Sequence, residues 1–144
     1  MSTYQRPAAP RQVPAATLAA MKQGATEAAR HAYAPYSRFA VGAAVLCADG
    51  RIHTGANVEN ASFGLSICAE RTAIFRAVAD GARRIDALVV YTPNGRTTPP
   101  CGACRQVLAE FGADALIVCC TDDAGERRFL LADLLPDAFG PDHL

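Results

Sequence analysis

Ile85-Asp86-Ala87-Leu88-Val89-Val90-Tyr91-Thr92, then Cys101-Gly102-Ala103-Cys104-Arg105-Gln106-Val107-Leu108-Ala109-Glu110-Phe111 stopped by Gly112, then Ala115-Leu116-Ile117-Val118-Cys119-Cys120 decide the fold. The outer two runs are short and dominated by apolar residues, the pattern of strands buried on both faces. The middle run has helical spacing and closes at a glycine. A strand, helix, strand order of this kind implies a parallel crossover in one sheet.

The same alternation extends in both directions. Cys68 to Ala79, with Ile74, Phe75 and Val78 at helical spacing, reads as a helix closing at Gly81. Before it, Phe39 to Cys47 and Arg51 to Val58 flank Asp49-Gly50 and read as a β-hairpin. Leu18, Met21, Ala25, Ala28 and Ala29 predict a first helix from Ala15 that ends near Tyr33 to Pro35. Downstream, Asp122 to Glu126 is a turn before a strand over Arg127 to Leu130, and Leu131 to Leu135 is a short helix ending at Pro136. The expected fold class is α/β: three layers, α/β/α, around a central five-stranded mixed sheet.

A chain of 144 residues suits one domain. That domain is expected over residues 15–144. Residues 1–14, with Pro7, Pro10 and Pro14, read as a flexible tail with no part in chemistry.

Lysine plus arginine equals aspartate plus glutamate at 14 each, and no basic run stands out. Neither nucleic acid nor an anionic membrane is therefore expected as a partner, and a small, nearly neutral molecule is. The first residues lack a secretory apolar core and no stretch is long enough to span a bilayer, so a soluble, cytoplasmic protein is expected. Six cysteines in a reducing compartment then serve as metal ligands or small buried groups.

Cys68-Ala69-Glu70 and Pro100-Cys101-Gly102-Ala103-Cys104 carry the chemistry. Cys68, Cys101 and Cys104 supply three soft ligands for zinc, and Glu70 places a carboxylate beside them. Both cysteine groups fall at predicted helix starts, where unpaired backbone N–H groups and the helix dipole favour thiolates. Two such starts after parallel strands lie at one sheet edge, so a single metal can join them. The competing reading is a closed structural site, with Cys119 or Cys120 as fourth ligand and Glu70 an ordinary helix-start carboxylate. Against it, Cys119 and Cys120 end an apolar strand, where small buried cysteine is the commoner role, and Cys47 reads the same way. His31, His53 and His143 have no partner at ligand spacing.

These motifs resemble the small three-cysteine cytidine deaminases. The resemblance runs through Tyr36-Ser37-Arg38-Phe39-Ala40-Val41-Gly42-Ala43-Ala44, Thr54-Gly55-Ala56-Asn57-Val58-Glu59-Asn60-Ala61-Ser62, the cysteine motifs over Ile67 to Ala73 and Pro100 to Val107, and Leu134-Leu135-Pro136-Asp137-Ala138-Phe139. It implies one zinc ion per subunit on Cys68, Cys101 and Cys104, and Glu70 as the catalytic proton carrier. It further implies that Asn57 and Glu59 hold the sugar, that Phe39 packs on the pyrimidine, and that backbone near Ala69 and Glu70 reads the base edge. By the same resemblance Phe139 reaches a neighbouring subunit's pocket, Arg71 donates hydrogen bonds to the thiolates, and the chain forms a homotetramer with shared active sites. Phe63 stands where many relatives carry tyrosine, so a hydroxyl is lost there while aromatic packing remains.

The implied activity is hydrolytic deamination of cytidine and 2′-deoxycytidine to the uridines, with release of ammonia, in pyrimidine salvage. The alternative within the same chemistry is a related aminopyrimidine nucleoside such as blasticidin S. A noncatalytic zinc-stabilised interaction module is the reading from a different class, and it requires four protein ligands.

Overall fold

A computed structural model describes residues 9–93, 95–123 and 125–144. Its elements are α1 (Ala15–Ala29), β1 (Gly42–Cys47), β2 (Ile52–Ala56), α2 (Ala69–Ala79), β3 (Ile85–Tyr91), α3 (Gly102–Gly112), β4 (Leu116–Cys120), β5 (Glu126–Leu130) and α4 (Leu131–Leu134). The five strands form one sheet in the order β2-β1-β3-β4-β5. Only β3 and β4 pair in parallel; the other neighbours are antiparallel. The expected three layers and mixed five-stranded sheet are therefore present.

Alternate residues of the central strands feed two cores. Val45, Leu88, Val90, Ile117 and Cys119 pack with Ile74 of α2 and Leu108 of α3 on one face. Ala44, Val89, Leu116 and Val118 pack with Leu18, Met21 and Ala25 of α1 on the other. Burial rather than capping holds α1, for neither a side-chain cap nor complementary end charges support it. Each fully buried large apolar side chain contributes about 1.5–3 kcal/mol, well above the roughly 1 kcal/mol of a cap.

Two glycines let helices lie directly on strands. A Cβ on Gly42 of β1 would come 1.8 Å from the Ala25 carbonyl oxygen of α1. One on Gly55 of β2 would come 2.5 Å from the Ala73 nitrogen of α2.

Several element ends differ from the sequence reading. The first helix stops at Ala29, earlier than Tyr33, because the Tyr33 N–H donates to the Asn57 carbonyl and the Glu59 N–H to the Tyr33 carbonyl, which draws the chain into a bridge with Val58. Phe39 to Val41 stay outside β1, since the Asn57 side chain takes up backbone groups that a ladder would otherwise use. The second strand ends at Ala56, with Val58 held by bridges to Tyr33 and Ile67. Gly112 lies within the last turn of α3, where a Cβ would approach the Ile85 carbonyl oxygen to 2.4 Å. Of the segment read as a tail, residues 1–8 lie outside the described residues. At its far end Arg11 pairs with Asp114 at 2.8 Å and Asp86 at 3.2 Å, and Val13 packs on the α1 core. Part of the predicted turn, at residue 124, also lies outside the described residues.

Candidate metal centre and cleft

The topology brings the two cysteine motifs together. Strands β2 and β3 run the same way, so α2 and α3, which follow them, both start at one edge of the sheet. Cys68 is the N-cap of α2, Cys101 is the N-cap of α3, and Cys104 lies in the first turn of α3. The Cys68 and Cys101 sulfurs are 3.7 Å apart, and those of Cys101 and Cys104 are 3.5 Å apart. All three Sγ atoms lie within 4.8 Å of one another, and among the described residues no further histidine, cysteine or carboxylate joins the group. Three convergent sulfurs without a fourth protein ligand suit a catalytic zinc rather than a closed structural one.

The thiols are poised for a metal. Hydrogen bonding from Cys104 lowers the Cys68 pKa to about 5, aided by the Arg71 guanidinium, whose Nη2 donates to Cys68 Sγ at 3.4 Å. Cys104 shifts the other way, its pKa raised first by that hydrogen bond and then by burial. The Arg71 Nε is buried without a partner among the described residues, so donor capacity remains beside the sulfurs. A dication in their midst releases the remaining protons.

Glu70, the first-turn carboxylate of α2, is only 5% exposed. Burial raises its pKa to about 7, reinforced by the nearby Cys68 charge. A carboxyl group at that value both accepts and returns a proton at neutral pH. Desolvation with a specific charge partner inside a cleft is the usual mark of a functional acid.

The cleft beside the sulfurs has a volume of about 280 Å³. Phe39, Asn57, Glu59, Ala69 and Glu70 all line it, together with Cys68 and Cys101. Among the described residues its lining carries no lysine or arginine, and Glu59 and Glu70 are the acidic ones.

Asn57 and Glu59 are both fastened to the loop that presents Phe39. Asn57 Oδ1 accepts from the Val41 N–H at 2.8 Å, and its Nδ2 donates to the Phe39 carbonyl at 2.7 Å. The Glu59 carboxylate accepts from the Tyr36 N–H at 2.9 Å, the Ser37 N–H and the Ser37 hydroxyl. Arg38 between them adopts a left-handed φ of 57°, a conformation that costs a residue with a Cβ about 1–2 kcal/mol. Ser37 was missed by the sequence reading. Its only local signal was a hydroxyl two residues before Phe39, which is too common to read.

Phe139 lies outside this cleft. It is 59% exposed, stacks on His143 at 5.3 Å, and its carbonyl accepts from Gln106 Nε2. The other predicted cysteines are buried, as small apolar residues are: Cys119 faces the α2 and α3 core with its pKa pushed up to about 12 by burial, and Cys120 faces α1. Cys47 is buried against His53, with Sγ 3.5 Å from Nδ1.

The chain matches the family model for the cytidine and deoxycytidylate deaminase zinc-binding region over residues 16–120. It is 49% identical over 124 residues to a cytidine deaminase of Mycobacterium tuberculosis, covering 86% of this chain and 90% of that protein. It is 48% identical over 116 residues to one of Halalkalibacterium halodurans, covering 80% of this chain and 88% of the relative. The crystal structure of a cytidine deaminase from Burkholderia pseudomallei superposes with a TM-score of 0.80 at 46% identity, over 84% of this chain and 98% of the other.

Proposed function

The chain belongs to the cytidine and deoxycytidylate deaminase family, and from that premise we propose that it is a hydrolase converting cytidine and 2′-deoxycytidine, with water, to uridine and 2′-deoxyuridine and ammonia. The observation that carries the proposal is the buried Glu70 carboxyl in a cleft walled by Cys68 and Cys101. Zinc held by Cys68, Cys101 and Cys104 supplies a Lewis acid that makes water a nucleophile at neutral pH.

The chain's own groups do the rest. Glu70 takes a proton from the attacking water and gives it to N3 of the pyrimidine as C4 is attacked. It then carries the second proton of that water, from the new C4 hydroxyl, to the 4-amino group; the C4–N bond breaks, the C4 carbonyl forms and ammonia leaves. Phe39 packs on the base, Asn57 and Glu59 meet the sugar hydroxyls as donor and acceptor, and the backbone near Ala69 orients the base edge. Arg71 offsets the surplus negative charge of three thiolates on a dication.

A free nucleoside fits this cleft better than a nucleotide. Among the described lining residues there is no lysine or arginine to hold a phosphate, and the Glu59 carboxylate would repel one. The same lining gives no support to binding a nucleic-acid backbone.

We also place the active unit in a homotetramer with shared sites. Tyr33, Tyr36, Val58, Phe63 and Leu65 are all exposed beside the cleft, with the Tyr36 and Phe63 rings in edge contact at 5.8 Å. An apolar surface of this kind favours a covering partner, and Phe139, exposed outside its own cleft, would meet that of another subunit. Six free thiols suit a reducing cytoplasm, and a nucleoside substrate suits pyrimidine salvage. Among the described residues no helix is long and apolar enough to cross a membrane.

The test is ammonia release from cytidine, deoxycytidine, cytosine, deoxycytidine monophosphate and blasticidin S, with zinc content measured in the same preparation. Turnover of the first two with one zinc per chain is expected. Preference for the monophosphate or for blasticidin S would redirect the substrate assignment.

A further inference from the structure

The residue after the last thiol ligand touches two separate parts of the chain. Arg105 folds back along α3, and its Nε donates to the Pro100 carbonyl at 2.6 Å, one residue before Cys101. Its Nη1 donates to the Leu134 carbonyl at 2.8 Å, at the last residue of α4. Arg105 thereby places a guanidinium on the helix that carries Cys101 and Cys104. The next residue, Gln106, holds the segment beyond α4 through the Phe139 carbonyl at 2.9 Å.

Among the described residues no other hydrogen bond reaches either carbonyl. Pro99 and Pro100 offer no N–H, so the approach to Cys101 has few bonds of its own. The Leu134 carbonyl is one of the unpartnered acceptors at a helix C-terminus, where a cation is favourable. A planar guanidinium reaches both carbonyls at once, which a single ammonium does not.

We propose that Arg105 is a positioning residue that couples the thiol cluster to the C-terminal segment, so that the wall holding the metal and the segment carrying Phe139 loosen together. The proposal rests on the zinc reading above. Residues that orient metal ligands from outside typically change metal affinity by about 10–100-fold when replaced.

The experiment follows zinc transfer from the full-length, zinc-loaded protein to a chromogenic chelator, together with hydrogen exchange of residues 98–104 and 135–140. Arg105→Met should release zinc about ten-fold faster or more, with faster exchange in both segments. Gln106→Ala should speed exchange only in 135–140, with zinc release unchanged. Ile117→Val, a buried core change that removes no hydrogen bond to either carbonyl, controls for lost stability and should release zinc at the wild-type rate. If Arg105→Met does not fold, Arg105→Lys is read instead, and faster release than wild type supports the proposal. Release at the wild-type rate from the variant that is read, or equal acceleration by Ile117→Val, overturns it. A wild-type chain that binds no zinc would defeat the zinc reading itself, a separate outcome.

Discussion

Asn57 holds Phe39 in place by its backbone: the side-chain amide donates to the Phe39 carbonyl at 2.7 Å while its oxygen accepts the Val41 N–H at 2.8 Å. A residue expected to meet the sugar is thus also a strut for the wall proposed to meet the base. Asn57→Ala leaves two partly buried backbone groups unpaired, at about 1–3 kcal/mol each. It should therefore lower the melting temperature as well as raise KM for cytidine. A raised KM with unchanged melting would assign Asn57 to the substrate alone.

Glu59 sets the acid limit of the same loop. Its carboxyl pKa lies below the ordinary value, held down first by the Ser37 hydroxyl and then by the Tyr36 and Ser37 N–H groups. A depressed folded-state pKa gives a contribution present above the unfolded pKa and lost as pH falls through the folded one. Ser37→Ala should shift that loss to higher pH. Thermal melts between neutral and acid pH measure the shift, and superimposable acid limbs for both proteins would refute the bond's role.

Gly42 and Gly55 are points of contact between helix and strand. Gly42→Ala drives a methyl into the Ala25 carbonyl, and Gly55→Ala drives one toward the backbone of α2. Neither neighbour is a flexible side chain, so each change should cost about 3 kcal/mol. Urea denaturation measures it, and a loss under about 1 kcal/mol would mean that the helices slide to make room.

Metal removal should lower stability as well as activity. Three sulfurs within 4.8 Å of one another join the starts of α2 and α3, and an ion bound only by the folded chain stabilises by mass action. Chelation should lower the melting temperature, and added zinc should restore it in step with its concentration. A melting temperature indifferent to zinc would contradict a metal shared by the two helices.

Most of this architecture could be read along the chain because period and punctuation agreed: Gly50 and Gly81 take positive φ where a turn and a helix end were expected. The cysteine motifs were legible because parallel crossovers force their helices to start at one edge. The loop from Tyr36 to Val41 was not legible. Its backbone bonds go to the side chains of Asn57 and Glu59, about twenty residues on, and no local periodicity encodes a partner at that distance. The early end of α1 has the same origin, since Tyr33 leaves the helix to pair with Val58. The strut from Arg105 to Leu134 likewise joins segments that only the folded sheet brings together.

The most direct test is Glu70→Gln, which keeps the size of the side chain and removes its ability to accept and return a proton. Cytidine turnover and zinc content are measured on the same purified protein. The account predicts one zinc per chain and a turnover reduced about 10²- to 10⁴-fold or more. A variant with full zinc and wild-type turnover would contradict it.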